Sequence, residues 1–360
     1  MAITHPTAQA GALPPSRRRL PWRSAQPKAL VTLLGLAVML IFLLPLGYML
    51  ATAFKPETQL SALGAPLWPA EPVTFSYEGK ELPLYNVPQG DGTHQWALVK
   101  GFREDADFID PAHPEQGVFN WKGRYRTLQP VYRFAPTWDN FQKSWSQVNF
   151  VLLFRNTFIL AIISTVGTLI SCIMVAYGFA RFKIPGKNIL FIILISTIVL
   201  PPQATIIPLY IFFSKIGWTG TWLPLLVPAF FANAYDVFLL RQYFLGIPRE
   251  MDEAAAIDGA NPLQTLLWVI LPQALPAITV VTLFHFFFAW NDYFLPLVYL
   301  AGHEELYPIS VGIGKFVGTF NTYPTRAMAT AVVTLILPAV MFFMAQRQFM
   351  QGVVSTGVDK

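Results

Sequence analysis

Long apolar runs constrain this chain more than any other feature. Six blocks approach or exceed the roughly 20 apolar residues that a helix needs to cross a bilayer: residues 29–54, 156–180, 188–213, 222–244, 274–300 and 327–350. The third is interrupted by Pro201-Pro202, which break or kink a helix because proline lacks the amide donor and crowds the preceding turn. Charge is scarce, at 12% of residues against 54% hydrophobic, whereas soluble domains carry about 25%. Lipid is therefore the expected solvent, and the expected fold is an all-α polytopic membrane protein. The net charge of +5 is no nucleic-acid signal, because the basic residues cluster beside apolar blocks. A single cysteine, Cys172, excludes an intramolecular disulfide, and the five histidines show no metal-ligand spacing.

The first block follows Arg17, Arg18 and Arg19 and precedes Ala51-Thr52-Ala53, so it has the outline of a signal peptide. Its apolar stretch is much longer than the 7–15 or so residues of a signal h-region, so it reads as an uncleaved span. Arg17, Arg18, Arg19, Arg23 and Lys28 precede the first block, Arg181, Lys183 and Lys187 follow the second, and Arg249 follows the fourth. The positive-inside rule puts these, and both termini, in the cytoplasm. Residues 55–150 then lie outside. There "VTFSYEGKELPLYNV" alternates around Glu78-Gly79, which reads as a hairpin over 73–87, and "HQWALVKGF" reads as a further strand. A small β-rich insert over 71–134 is expected, with a flexible loop as the alternative. The resulting division is a basic tail (1–28), a first span (29–54), an extracytoplasmic segment (55–150), a membrane core (151–350) and a C-terminal tail (351–360).

A polar interruption, "EAAAIDGANPLQTLLWVILP", lies between the fourth and fifth blocks. Pro248 suits a first helical position, Gly259 suits the residue after a last turn, and Asn261-Pro262 suits an N-cap followed by a first-turn proline. Leu263, Leu266, Leu267 and Ile270 recur at helical spacing as one apolar face. Leu271-Pro272 ends the element. The whole loop, residues 245–272, is thus expected to be a helical hairpin at the inner membrane surface. Glu253 and Asp258 keep it polar, while Ala254, Ala255 and Ala256 would let another protein approach the backbone. A partnerless interfacial hairpin accounts for the same pattern.

Polar residues inside the spans are costly and often functional. Asn156, Asn233, Asp236, His285, Asn291 and Asp292 are candidates, with Phe286, Phe287, Trp290 and Tyr293 as aromatic neighbours. Amides, carboxylates and aromatic faces suit sugar hydroxyls and ring faces. The same residues also serve as helix caps or interhelical glue. The substrate-pathway set is Asn233, Asp236, Trp290, Asn291 and Asp292. No G-x-x-x-x-G-K-[ST] or G-x-S-x-G motif occurs, so ATP binding and serine-hydrolase chemistry are not expected of this chain. A membrane enzyme acting on lipid-linked sugars through Asp236 or Asp292 with His285, or an ion-coupled carrier, are the alternatives from other classes.

The polar hairpin resembles the EAA loop of binding-protein-dependent ABC importer permeases. That pattern is read here at Glu253-Ala254-Ala255, Gly259, Val269 and Leu271-Pro272, with Val269 the one conservative departure. "YGFARFKIPGKN", "LPPQATIIPLYIFFSKIG", "AWNDYFLPL" and "QRQFMQGVVSTGVDK" are similar to the second permease subunit of sugar importers of the maltose type. The resemblance covers about residues 29–54 and 136–360, but not the insert or the first 28 residues. It implies the six-helix type I importer (MetI-like) fold in the cytoplasmic membrane of a prokaryote. It also implies a second permease subunit as heterodimer partner, two ATPase subunits that hold ATP and Mg, and an extracytoplasmic sugar-binding protein. By the same resemblance Glu253 orients the docking helix, Ala254 and Ala255 admit the ATPase surface, Gly259 supplies the turn, and residues 351–360 reach the ATPases. Relatives carry maltodextrins, smaller sugars or glycerol phosphates, so the resemblance does not name the substrate.

Overall fold

The computed structural model describes residues 22–62, 64–90, 92–316 and 323–355. Arg17, Arg18 and Arg19 and residues 356–360 lie outside them. The chain forms two units, residues 1–49 and 50–360. The first contains most of the helix Trp22–Ala53, whose Ala29–Ala53 stretch is long and apolar enough to cross a membrane. Apolar side chains such as Leu33, Leu36, Leu40 and Phe42 lie on all its sides, as in a helix solvated by lipid.

The second unit is mainly helical. The long helix Phe150–Arg181 packs against Ala234–Gly246 and Leu275–Asn291, and the latter packs against Pro324–Ser355. Small residues make the close approach possible. Cys172, Ala176 and Ala180 are fully buried among Val237, Leu240, Phe244, Ile270 and Val281, the small-against-large packing of membrane helices.

Among the described residues four helices can cross a membrane, or up to six if each of two bent pairs counts as one span. Three apolar blocks are broken, the third as its prolines predict and the fourth and fifth although each was expected to be a simple span. The third turns through 99° between Lys187–Val199 and Ala204–Lys215, at the two prolines. The fourth is a short helix Leu223–Leu226, a 3₁₀ turn Pro228–Phe230 and the helix Ala234–Gly246. The fifth stops at Asn291 and resumes as Phe294–Tyr299. Pro296 explains that stop. It has no amide for the carbonyl of Asp292, which instead accepts from Ser310 Oγ at 2.6 Å.

A β-rich region interrupts the helices. Strands β2 (Thr74–Tyr77), β3 (Lys80–Gln89), β4 (Gly92–Gly101), β5 (Asp105–Ile109) and β6 (Phe119–Lys122) follow in sequence order as an antiparallel meander, and β7 (Gln129–Pro130) pairs with β3. Glu78 and Gly79 both have positive φ, 48° and 76°, the type I′ turn that matches strand twist. One face packs Leu82, Leu84, Ala97 and Ile109, and the other packs Val87, Trp96, Ala106 and Phe108. Strands β1 (Ala70–Pro72) and β8 (Tyr132–Phe134) pair with each other and bring the two ends of the region together.

Candidate functional site

Two places carry polar groups that the packing of spans does not require. The first is the hairpin. Its first limb is the helix Glu250–Ile257. Pro248 lies ahead of that helix rather than inside it, because Arg249 is the N-cap. The limb closes with two backbone bonds. Ala260 N donates to Ala255 O at 2.9 Å and Gly259 N donates to Ala256 O at 3.1 Å. That pair is the Schellman motif, which needs a left-handed residue between the limbs; Gly259 supplies it at φ +84°. The second limb opens with a capping box. Asn261 Oδ1 accepts from Gln264 N, and Gln264 Oε1 accepts from Asn261 N, both at 2.9 Å.

The second limb, Pro262–Gln273, contains a π segment at Leu266–Ile270. Pro272 lies just beyond it and offers no amide to the Trp268 carbonyl. The expected four-residue apolar face divides in two. Leu266 and Ile270 are buried, while Leu263 and Leu267 are exposed, with Trp268 beside them. Leu271 is partly buried against the core and Pro272 is exposed. On the first limb Glu253, Ala254, Ala256 and Asp258 face outward, whereas Ala255 is buried. The outward small surface is therefore Ala254 and Ala256, since Ala255 points back into its own chain.

The hairpin is fastened to two spans. Arg181, in the last turn of Phe150–Arg181, has Nη2 3.2 Å from Asp252 Oδ2 and donates to Ile247 O at 3.0 Å. Tyr177 OH donates to Pro262 O at 3.2 Å, and Tyr243 OH donates to Gln273 O at 3.1 Å. A cavity of about 350 Å³ opens there, with Arg181, Asp252, Glu253 and Thr265 on its wall. After Gln273 the chain bends through 83° into Leu275–Asn291. The hairpin thus contacts two helices and continues into a third.

The second place is a cavity of about 230 Å³ between the helices, lined in part by Thr168, Phe231, Asn233, His285, Phe288 and Asp292. Both helix breaks open onto it. At the first break Thr168 Oγ1 donates to Ala229 O at 3.1 Å. His285 Nε2 lies 3.1 Å from Thr168 Oγ1. His285 Nδ1 faces Asp236 Oδ2 at 3.7 Å. Asn233 caps the helix from Ala234, accepting from Asp236 N at 2.9 Å, and its amide donates to Asp236 Oδ2 at 2.6 Å. The hydroxyl–imidazole–carboxylate order is that of a nucleophilic triad. The Asp236–His285 separation exceeds a hydrogen bond, however, so the carboxylate does not orient the imidazole toward Thr168.

The expected pathway residues separate. Asn233 and Asp292 line the cavity and Asp236 sits directly behind His285. Trp290 is buried elsewhere, stacked on Phe286 and donating to Thr334 O at 3.2 Å. Asn291 is exposed and bonds its own helix at Phe287 O. Asn156 is interhelical glue, donating to the carbonyls of Glu305 and Tyr307. Among the described residues no cluster of His, Cys, Asp and Glu could hold a metal ion.

Residues 167–352 match the family described as the inner membrane component of binding-protein-dependent transport systems. The chain belongs to that family. The matched stretch contains the whole hairpin and both helix breaks. The permease is 32% identical to the osmoprotective compounds uptake permease protein GgtD of Synechocystis sp., over 57% of this chain and 69% of the relative. It is 27% identical to the alpha-glucoside transport system permease protein AglG of Rhizobium meliloti, over 62% of this chain and 60% of that one. A bacterial ABC transporter involved in import of the acidic polysaccharide alginate shares its fold, with a TM-score of 0.58 at 20% identity, covering 94% of this chain and 98% of that one. The protein is a multi-pass membrane transport subunit rather than an enzyme.

Tyr177, Thr168 and Ser310 carry no mark in the sequence that separates them from their neighbours, and Arg181 reads there only as a cytoplasmic loop charge. Arg181 meets a residue 71 positions away, and nothing local to either marks the pair.

Proposed function

We propose that this permease is one of two membrane subunits of an ABC importer for a sugar-class substrate, in the cytoplasmic membrane of a prokaryote with both termini inside. Two ATPase subunits, which hold ATP and Mg, seat against the hairpin, and an extracytoplasmic binding protein delivers the substrate. The sugar class follows from relatives such as the alpha-glucoside permease. The observation that carries the coupling role is the hairpin's construction. Its outer surface is open, with Glu253, Ala254, Ala256 and Asp258 outward and Ile257 87% exposed. Its inner side is tied to the spans by Arg181, Tyr177 and Tyr243. Such a part passes on an external push as rigid-body motion. Glu253 orients the seat, Gly259 holds its turn, and Leu271-Pro272 join it to the span beyond. The tail from residue 351 makes a further ATPase contact, and the β-rich region engages the binding protein.

Substitution and crosslinking in the assembled complex test the reading. Gly259→Trp is expected to abolish uptake and stimulated ATP hydrolysis together while the complex still assembles. Cysteines placed singly at Ala256 and Ile257 are expected to crosslink to the ATPase. The native Cys172 is buried, so the background is clean. Wild-type uptake in Gly259→Trp, or no crosslink from either position, removes the coupling role.

A further inference from the structure

We propose that the cavity at the two helix breaks is a subsite for one ring of a neutral polyol, with Asp292 accepting a vicinal pair of its hydroxyls. The proposal rests on the sugar-class reading above and adds the recognising residue, the charge class and the size.

Irregular backbone at membrane depth is tolerated only where protein buries it or where it lines a polar cavity. Two of the three breaks among the described residues, at residues 231–233 and 292–293, face the same space. Asp292 is held there by the second break, and its carboxylate meets the backbone amides of Leu295, at 3.3 Å, and of Phe294, which leaves further acceptor sites toward the cavity. Among the described residues no basic side chain lies within 4.0 Å of this carboxylate. A carboxylate with free acceptor sites takes two adjacent hydroxyls well, because hydrogen bonds to an ionised acceptor are short and strong.

The remaining wall decides the charge class. His285 is the one basic side chain on that wall, and its Nδ1 lies 3.7 Å from Asp236 Oδ2. Asp292 has no basic partner among the described residues, so a phosphate or carboxylate would find no counter-charge on this wall. Phe231 and Phe288, exposed at 73% and 70%, supply flat apolar faces for a pyranose ring. The volume of about 230 Å³ lies below the roughly 300–1,000 Å³ of drug-sized sites. It has room for a single ring and not for a chain. The helix Leu275–Asn291 has the hairpin at one end and Asp292 at the other, about 25 Å apart at roughly 1.5 Å per residue. The subsite is thus carried by the element that the hairpin moves.

The test is equilibrium binding to the purified, nucleotide-free complex in lipid nanodiscs. The probes are methyl α-D-glucopyranoside (neutral), sn-glycerol 3-phosphate (anionic) and choline (cationic). The glucoside is expected to bind and neither charged probe to displace it. Asp292→Asn is expected to weaken glucoside binding about tenfold or more, the loss typical of a hydrogen bond to a charged group. Asp292→Glu, which keeps the carboxylate, is expected to recover part of that loss, and thermal unfolding of each complex shows that the variants fold. Equal glucoside affinity in wild type and Asp292→Asn overturns the proposal. So does stronger binding of either charged probe, or no binding by the wild-type complex. Because the readout needs no ATP turnover, its failure is distinct from failure of the hairpin crosslinks.

Discussion

Gly259 shows what one residue contributes to the hairpin. A Cβ there would meet nothing within 4 Å, so the position is not glycine for lack of space. It is glycine because φ is +84°, where a Cβ crowds the following carbonyl at a cost of about 1–2 kcal/mol. Gly259→Ala should therefore loosen the Schellman closure without any clash, and Gly259→Asn should loosen it less, since asparagine visits the left-handed region. Hydrogen exchange at the Ala260 amide, which closes the motif on Ala255, reads this out. The expected order of protection is Gly, then Asn, then Ala, and equal protection in Gly and Ala would remove the strain argument. Gly259 and Asn261 were legible in the sequence because capping is decided within a few residues. Ala255 was not, because the choice of which alanine faces inward depends on how the whole helix lies against its neighbours. Asp292 was legible as a polar residue in an apolar run, but its place at a helix break without a basic partner among the described residues was not.

At the scale of elements, prolines shape the molecule as strongly as the apolar blocks do. The blocks predicted membrane-length segments, and such segments are present. Composition could not say which of them would stay straight: Pro338 lies inside an unbroken helix, where Trp290 takes up the freed Thr334 carbonyl, whereas Pro296 stands at a break. There Ser310 takes up the Asp292 carbonyl, at 18 residues' separation. Thr168 takes up Ala229 O at the other break, where no proline stands four residues on, at 61 residues' separation. No window along the sequence contains those partners. The same holds for the tie between hairpin and span. Arg181 and Asp252 have side chains 7% and 23% exposed, so their pairing is shielded from salt more than a surface pair would be. A double-mutant cycle with Arg181→Met and Asp252→Asn is expected to give a coupling energy of about 0.5–3 kcal/mol in unfolding of the complex, the range for residues in direct contact. Either single change is expected to lower uptake more than assembly, because the pair lies on the route from hairpin to span. Additive effects on both stability and uptake would show that the tie transmits nothing.

For the whole molecule, the question is whether the β-rich region belongs to the machine's moving core or stands apart from it. The strand pairing favours the second answer. Ala70 is paired with Phe134, and Ala135 N donates to Pro69 O at 3.2 Å. The chain therefore leaves and re-enters at neighbouring points, and the region buries apolar residues on both faces of its own sheet. Replacing residues 72–132 with an Asn-Gly turn asks the chain only to close the short hairpin that β1 and β8 already define. The spans keep their contacts, since Cys172, Val237, Phe244 and Val281 pack with one another and not with the sheet. The shortened permease is thus expected to assemble with its partners and to lose stimulation of ATP hydrolysis by the binding protein. Full stimulation in an assembled complex would remove the delivery role from this region. Failure to assemble would show that the region supports the membrane core despite having its own.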